Sequence, residues 1–138
     1  MLLTEEQKYK IKRVFERYHL MQAQCKEYRE DASSIVKAFD LSGVRSGNAG
    51  DPVGGAVAEL DGKISEIEGW LSVVDETASY FEGTPRGRML QLLYFDGVPI
   101  RETARRLFVS ATTVYEWRTD VFDYAFFCAV RKGLMTWP

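Results

Sequence analysis

Small polar side chains and arginines cluster between residues 86 and 119, and their types match the chemistry of double-stranded DNA. Hydroxyls, a phenol and a carboxylate can hydrogen-bond with base edges, an alanine can contact a thymine methyl group, and arginines can pair with phosphates. The candidate base-reading residues are Ser110, Ala111, Thr112, Thr113, Tyr115, Glu116 and Thr119. The candidate phosphate contacts are Arg86, Arg88, Arg101, Arg105, Arg106 and Arg118.

Two short helices joined by a tight turn are predicted to position most of these side chains. The first covers about residues 99–107 and buries Ala104, a small residue of the kind required where two helices cross closely. Ser110 is predicted to cap the second helix, because its hydroxyl can accept a hydrogen bond from the amide of Thr112 or Thr113.

The second helix is predicted to bury Val114 and Trp117. The residues predicted to point outward are Ser110, Ala111, Thr112, Tyr115, Glu116 and Thr119. Such a pair is typical of a helix-turn-helix, which sets its second helix into the DNA major groove. Glu116 can either accept a hydrogen bond from a cytosine amino group or orient Arg118, and both readings stay open. The ordinary alternative for the arginines is a solvated helix surface.

Several short stretches of this region carry a resemblance to a known family. These are Tyr94–Pro99, Glu102–Ala104, Leu107–Ser110 and Thr113–Val114, with a weaker similarity over Asp51–Val53 and Ala56–Val57. The region resembles region 4 of sigma-70-type factors, and the chain is similar to phage-encoded regulators of the ArpU/RinA type. The resemblance implies a transcriptional regulator of phage or prophage genes that binds promoter-proximal DNA.

Two residues depart from the pattern of that module. Phe108 occupies the turn position usually given to glycine, where φ is often positive. Because a bulky residue in that conformation costs roughly 1 kcal/mol or more, we expect a rearranged turn. Thr103 occupies a normally apolar site.

The charge distribution agrees with the position of the motif. The chain has 138 residues and a net charge of −2, which gives no overall attraction to nucleic acid. Residues 1–84, however, carry 10 Lys+Arg and 15 Asp+Glu, whereas residues 85–138 carry 8 Lys+Arg and 5 Asp+Glu. The basic excess therefore lies in the same half of the chain as the candidate DNA-binding residues.

The first half of the chain reads as two long helices. Thr4 and Gln7 form a predicted capping box that opens a helix over residues 5–40. Its apolar residues recur in steps of three and four: Ile11, Val14, Tyr18, Met21, Cys25, Tyr28, Ala32, Ile35 and Phe39. This spacing is that of a heptad seam, which must lie along another long helix.

A Gly/Ser-rich stretch, residues 41–50, is predicted to be a loop. The second long helix follows this loop, with Asp51 as its predicted cap and Gly83 as its predicted end. Its apolar residues are Val53, Val57, Leu60, Ile64, Ile67, Leu71, Val74, Ala78 and Phe81. The two seams predict an antiparallel helical hairpin, and pairing with a second subunit is equally allowed.

The predicted fold is all-α, with five helices and two functional regions. Residues 1–83 form a helical hairpin or coiled-coil oligomerisation arm, and residues 84–138 form the helix-turn-helix region. The latter begins with a helix over Pro85–Phe95. Its last helix is apolar around almost its whole circumference after residue 120, which predicts burial on more than one side.

Other classes of protein have little support in the sequence. Cys25 and Cys128 stand alone and read as reduced thiols of a cytoplasmic protein. His19 is the single histidine, and no metal cluster, cofactor motif, membrane span or signal peptide is recognised. No nucleophile–base set can be assembled, so neither an enzyme nor a small-molecule substrate is expected.

We therefore expect a sequence-specific, double-stranded DNA-binding regulator of transcription that acts as a homodimer and can also contact RNA polymerase. Two alternatives stay open. One is the small terminase subunit of a phage, which combines a helix-turn-helix with oligomerising helices for DNA packaging. The other is a protein-interaction module that docks on the polymerase without binding DNA.

Overall fold

The computed structural model describes residues 3–42 and 52–137, except for the side chains of 39–42 and 52–53. These ranges are almost entirely helical, and no strand occurs in them. The predicted all-α class is therefore confirmed. The six α-helices of the described ranges are α1 (Glu5–Glu16), α2 (Tyr18–Ser42), α3 (Pro52–Tyr80), α4 (Pro85–Leu90), α5 (Ile100–Arg106) and α6 (Ala111–Arg131).

The first predicted helix begins as expected but is divided in two. Its capping box is confirmed: Thr4 Oγ1 accepts a hydrogen bond from the Gln7 amide at 3.1 Å, and Gln7 Oε1 accepts one from the Thr4 amide at 2.9 Å. The helix predicted over 5–40 is interrupted at Arg17, whose φ of −101° and ψ of 13° end α1. The structure consequently has six helices where five were predicted.

Aromatic side chains on the two sides of this break are held by different neighbours. Phe15, in α1, is completely buried, and its ring centroid lies 5.6 Å from that of Tyr94 and 5.5 Å from that of Phe122. Tyr18, the first residue of α2, donates its hydroxyl to Asp75 Oδ1 at 2.8 Å. The break separates these two sets of contacts. Both sets involve residues far along the chain, so the local sequence does not predict them.

The connection from α3 to α4 uses two glycines for different reasons. Gly83 has a φ of 77°, the left-handed conformation expected of a residue that follows a helix. Thr84 caps α4 by accepting a hydrogen bond from the Gly87 amide at 3.1 Å. A Cβ at Gly87 would lie 2.2 Å from the Phe81 carbonyl oxygen, so a side chain is excluded there. The predicted helix over 85–95 is present as α4, continued by a π-helical turn, Gln91–Phe95.

Packing divides the chain into two units. One combines the residues up to His19 with those from Gly69 onward, and the other is Leu20–Glu68. In the first unit, α6 is buried on more than one side, as its sequence predicts, through Val114, Val121, Phe122, Ala125, Phe126, Cys128 and Ala129. The predicted division at residue 83, between a helical hairpin and the helix-turn-helix region, stays a prediction.

Within the unit Leu20–Glu68, α2 and α3 contact each other through polar groups. The Arg29 guanidinium pairs with the Glu68 carboxylate, and the Lys63 ammonium group lies 5.6 Å from the centre of the Tyr28 ring. Most seam residues of this unit are half-buried, namely Tyr28, Ala32, Ile35, Val57, Leu60, Ile64 and Ile67. The seams therefore keep accessible apolar surface in the single chain.

Some predictions fall outside the described residues. They concern the loop from residue 43 onward, the Asp51 cap and the seam positions of Phe39 and Val53. Residues 41 and 42, predicted to open the loop, are instead the last two residues of α2.

Candidate nucleic-acid interface

The segment that carries most candidate residues consists of α5, a short turn and the start of α6, all within the first unit. α5 packs against α6, and Ala104 is buried as predicted. The Val109 amide donates to the Ala104 carbonyl at 3.0 Å, which folds the turn back onto α5. Thr103 is also buried, and its hydroxyl donates to the Val98 carbonyl at 3.4 Å. This hydrogen bond accounts for a polar residue at a normally apolar site.

The turn contains an unusual backbone conformation. Phe108 has a φ of 58° and is the one non-glycine residue with positive φ among those described. The expected rearrangement of the turn is therefore wrong: the turn keeps the left-handed backbone that glycine adopts easily, although this costs roughly 1–2 kcal/mol for a phenylalanine. The Phe108 side chain is 95% exposed, so no burial offsets this cost.

The start of α6 is fixed by the predicted serine cap. Ser110 Oγ accepts a hydrogen bond from the Thr113 amide at 3.1 Å, which selects Thr113 over Thr112 as the partner. The Ser110 and Thr113 hydroxyl oxygens lie 2.9 Å apart, so both side chains take part in the cap. Of the other candidate base-reading residues, Ala111 is half-buried, and four are exposed: Thr112, Tyr115, Glu116 and Thr119.

Exposed Tyr115 and half-buried Arg118 form one cluster on α6. The Arg118 guanidinium lies 4.9 Å from the centre of the Tyr115 ring and 5.7 Å from that of Phe122. The Thr119 hydroxyl donates to the Tyr115 carbonyl at 3.1 Å. Arg118 is thus oriented by aromatic faces, and within the described ranges Glu116 forms no ion pair with it.

Arg105 and Arg106 share one carboxylate on α5. Arg105 Nε donates to Glu102 Oε2 at 2.9 Å, and Arg106 Nε donates to Glu102 Oε1 at 3.1 Å. A second nitrogen of Arg105 also donates to Glu102. The hydrogen bonds from Arg105 and Arg106 lower the pKa of Glu102 to about 2, so this carboxylate stays ionised at neutral pH.

The remaining candidate arginines differ in their surroundings. Arg86 is held by Asp120, with Nε 2.9 Å from Oδ2, and its guanidinium lies 5.7 Å from the centre of the Trp117 ring. Trp117 is only half-buried, although it was predicted to point inward. Arg88 and Arg101 are exposed, and neither has an ion pair within the described residues. Three of the six candidate arginines, Arg86, Arg105 and Arg106, therefore have intramolecular carboxylate partners.

The structure adds cationic side chains that the sequence analysis did not select. A cavity of about 290 Å³ between α1 and α6 is lined by Lys8 and Lys12 together with Arg118 and Thr119. Each lysine also pairs with an exposed glutamate of α1. Lys8 Nζ lies 3.5 Å from Glu5 Oε1, and Lys12 Nζ lies 3.7 Å from Glu16 Oε1. The sequence of α1 contains no feature that would have placed these lysines beside α6, because the proximity depends on tertiary packing.

Other kinds of site are not found in the described part of the chain. It contains no group of three or more His, Cys, Asp or Glu residues that could hold a metal ion. None of its helices combines the length and apolar character needed to cross a membrane. The free cysteines, Cys25 and Cys128, are both buried.

Comparison with protein-family models, with curated proteins and with solved structures gives no match for this chain. The resemblance to sigma-70 region 4 and to ArpU/RinA-type regulators therefore stays a prediction from the motif residues.

Proposed function

We propose that this chain binds double-stranded DNA in a sequence-specific manner and regulates transcription, as a cytoplasmic protein of phage or prophage origin. The observation that carries the proposal is the serine-capped start of α6. There, exposed Thr112, Tyr115 and Glu116 adjoin a helix, α5, that presents exposed arginines. Polar groups of these types at the start of a capped helix suit hydrogen bonding with base edges in the major groove.

In this proposal the two kinds of side chain have separate roles. The polar residues of α6 read the base edges, whereas the arginines fix the position of α6 by contacting phosphates. Arg101 and Arg88 are exposed and available for this role as they stand. Arg105 and Arg106 both donate hydrogen bonds to Glu102, so DNA phosphates would compete with that carboxylate for these two arginines.

A dimer is part of the proposal. The seam residues within Leu20–Glu68 are mostly half-buried, which supports a second copy of the chain as the group that covers them. Two copies would present two reading helices to two half-sites and raise the affinity accordingly. A dimer in solution favours the regulator, whereas a ring-sized oligomer favours the small terminase subunit.

The proposal is tested by measuring the binding of the purified chain to random-sequence duplex DNA across a salt series, followed by selection of the bound sequences. We expect affinity to fall steeply with salt and one sequence to be enriched. Replacement of Arg105 and Arg106 by alanine should reduce the slope of log K against log salt by about 1–2, since each phosphate contact contributes about 0.9.

The matched control is Lys26→Ala with Lys37→Ala, which removes the same charge from exposed positions of α2. This variant should bind DNA as the unaltered chain does. An absence of binding at low salt would refute the proposal, and binding of RNA polymerase by the same sample would then support the protein-docking alternative. An unchanged slope for the arginine variant would remove Arg105 and Arg106 from the phosphate contacts.

A further inference from the structure

Phe108 occupies a position where an aromatic ring contributes nothing to the stability of the folded chain. Its side chain is 95% exposed, so it buries almost no apolar surface. Its φ of 58° lies in the left-handed region, which glycine adopts without the steric cost that a Cβ imposes. Backbone strain of this kind is common at binding and active sites, where the gain comes from a partner rather than from the fold.

The surroundings of Phe108 indicate the charge of that partner. Arg105 and Arg106, the last two residues of α5, lie three and two residues before it, with side chains that are 74% and 49% exposed. Ser110, the cap of α6, follows two residues later. The ring therefore stands between exposed cations and the polar start of the proposed reading helix, where a polyanion fits better than a neutral surface.

We propose that Phe108 is a DNA-contacting residue that packs against an apolar group at the edge of the groove. This inference rests on the proposed function. Duplex DNA offers two such groups beside its phosphates: the deoxyribose rings, which are independent of sequence, and the thymine methyl group, which is not. Contact with either group would bury the Phe108 ring, which is exposed in the free chain.

The test compares Phe108→Gly with the unaltered chain, using a random-sequence duplex and the duplex selected by the unaltered chain. We expect affinity for the selected duplex to fall about tenfold, which corresponds to about 1.4 kcal/mol of lost apolar burial. The slope of log K against log salt should stay unchanged, because no charge is removed. The melting temperature should not fall, because glycine accepts the observed φ. Phe108→Tyr should retain the affinity of the unaltered chain.

Comparison of the random-sequence duplex with the selected duplex distinguishes a deoxyribose contact from a thymine methyl contact. A loss confined to the selected duplex, with one thymine preference erased in a new selection, identifies a methyl contact. An equal loss on both duplexes identifies the deoxyribose. Equal affinities of Phe108→Gly and the unaltered chain would overturn the inference and leave the proposed function standing. The inference would also be overturned if the substitution weakened binding of RNA polymerase but not of DNA. If the unaltered chain did not bind duplex DNA at all, both proposals would fail together.

Discussion

Glu102 is expected to limit the affinity of this chain for DNA, and its replacement by glutamine provides the sharpest test of how the arginines work. One carboxylate accepts hydrogen bonds from Arg105 at 2.9 Å and from Arg106 at 3.1 Å. Any phosphate that contacts these arginines must compete with it. Glu102→Gln removes the competing charge while keeping the size and polarity of the side chain.

The magnitude follows from the arginine charge that Glu102 no longer neutralises. If the substitution adds the equivalent of one phosphate contact, the slope of log K against log salt steepens by about 0.9. At 0.1 M salt this corresponds to roughly eightfold tighter binding, and the difference disappears as the salt approaches 1 M. Fluorescence anisotropy with a labelled random-sequence duplex over a salt series measures both quantities.

Two controls isolate the mechanism. Glu27→Gln changes the net charge by the same amount at an exposed position of α2 and should leave binding unchanged. In a chain that already carries Arg105→Ala and Arg106→Ala, Glu102→Gln should no longer tighten binding through the released arginines. Equal slopes for Glu102→Gln and the unaltered chain would refute the idea that the carboxylate competes with DNA.

The pKa of Glu102 adds an independent check on this reasoning. Its pKa is lowered from 4.5 to about 2 by the hydrogen bonds from Arg105 and Arg106, so the favourable contribution of these contacts to stability is complete above pH 4.5. That contribution is lost as the pH falls through about 2. In the free chain Glu102 therefore stays ionised between pH 5 and 8, and its protonation does not release Arg105 and Arg106 in that range.

Four further predictions concern the fold. Gly87→Ala should lower the free energy of unfolding by about 1–3 kcal/mol in a urea titration, because its Cβ would lie 2.2 Å from a backbone carbonyl oxygen. Gly62→Ala, where a Cβ meets nothing within 4 Å, should instead stabilise the chain by about 0.5–1 kcal/mol. Phe15→Ala should cost about 3–5 kcal/mol in the same assay, since the ring is completely buried, and a cost below 1 kcal/mol would contradict its central position. Tyr18→Phe should cost about 1 kcal/mol through the lost hydrogen bond to Asp75. Burial and that bond raise the pKa of Tyr18 from 10.0 to about 12, so the Tyr18 contribution is complete below pH 10 and lost as the pH rises through about 12. The phenylalanine variant should lack this alkaline dependence in thermal melts.

Features with a local cause could be predicted from the sequence. The caps at Thr4 and Ser110 depend on hydrogen bonds to an amide three residues away, and both are confirmed. The left-handed residue at Gly83 follows from the chemistry of helix ends and is also present. The all-helical class follows from apolar spacing, which extends over most of the chain.

Features that depend on distant residues could not be predicted in the same way. The complete burial of Phe15 depends on contacts with residues such as Phe122, far along the chain. The end of α1 at Arg17 was not predicted either. The pairing of Arg86 with Asp120 joins residues 34 positions apart. The sharing of Glu102 by two arginines could, by contrast, have been predicted, because Arg105 and Arg106 follow it at spacings of three and four residues. The hairpin and the DNA-reading role of α6 stay predictions.

The hydrogen bond between Tyr18 and Asp75 also affects how much this chain can change in length. It joins residues 57 positions apart, and the unit Leu20–Glu68 lies between them as an insertion in the sequence of the other unit. Loop-closure entropy grows only logarithmically with loop length, and doubling or halving a loop changes its cost by about 0.6 kcal/mol. Insertions and deletions of whole helical turns in the inserted unit would therefore lower the free energy of unfolding far less than changes near α5 or α6. Evolution could vary the length of this unit and keep the surface that carries Thr112 and Tyr115 intact.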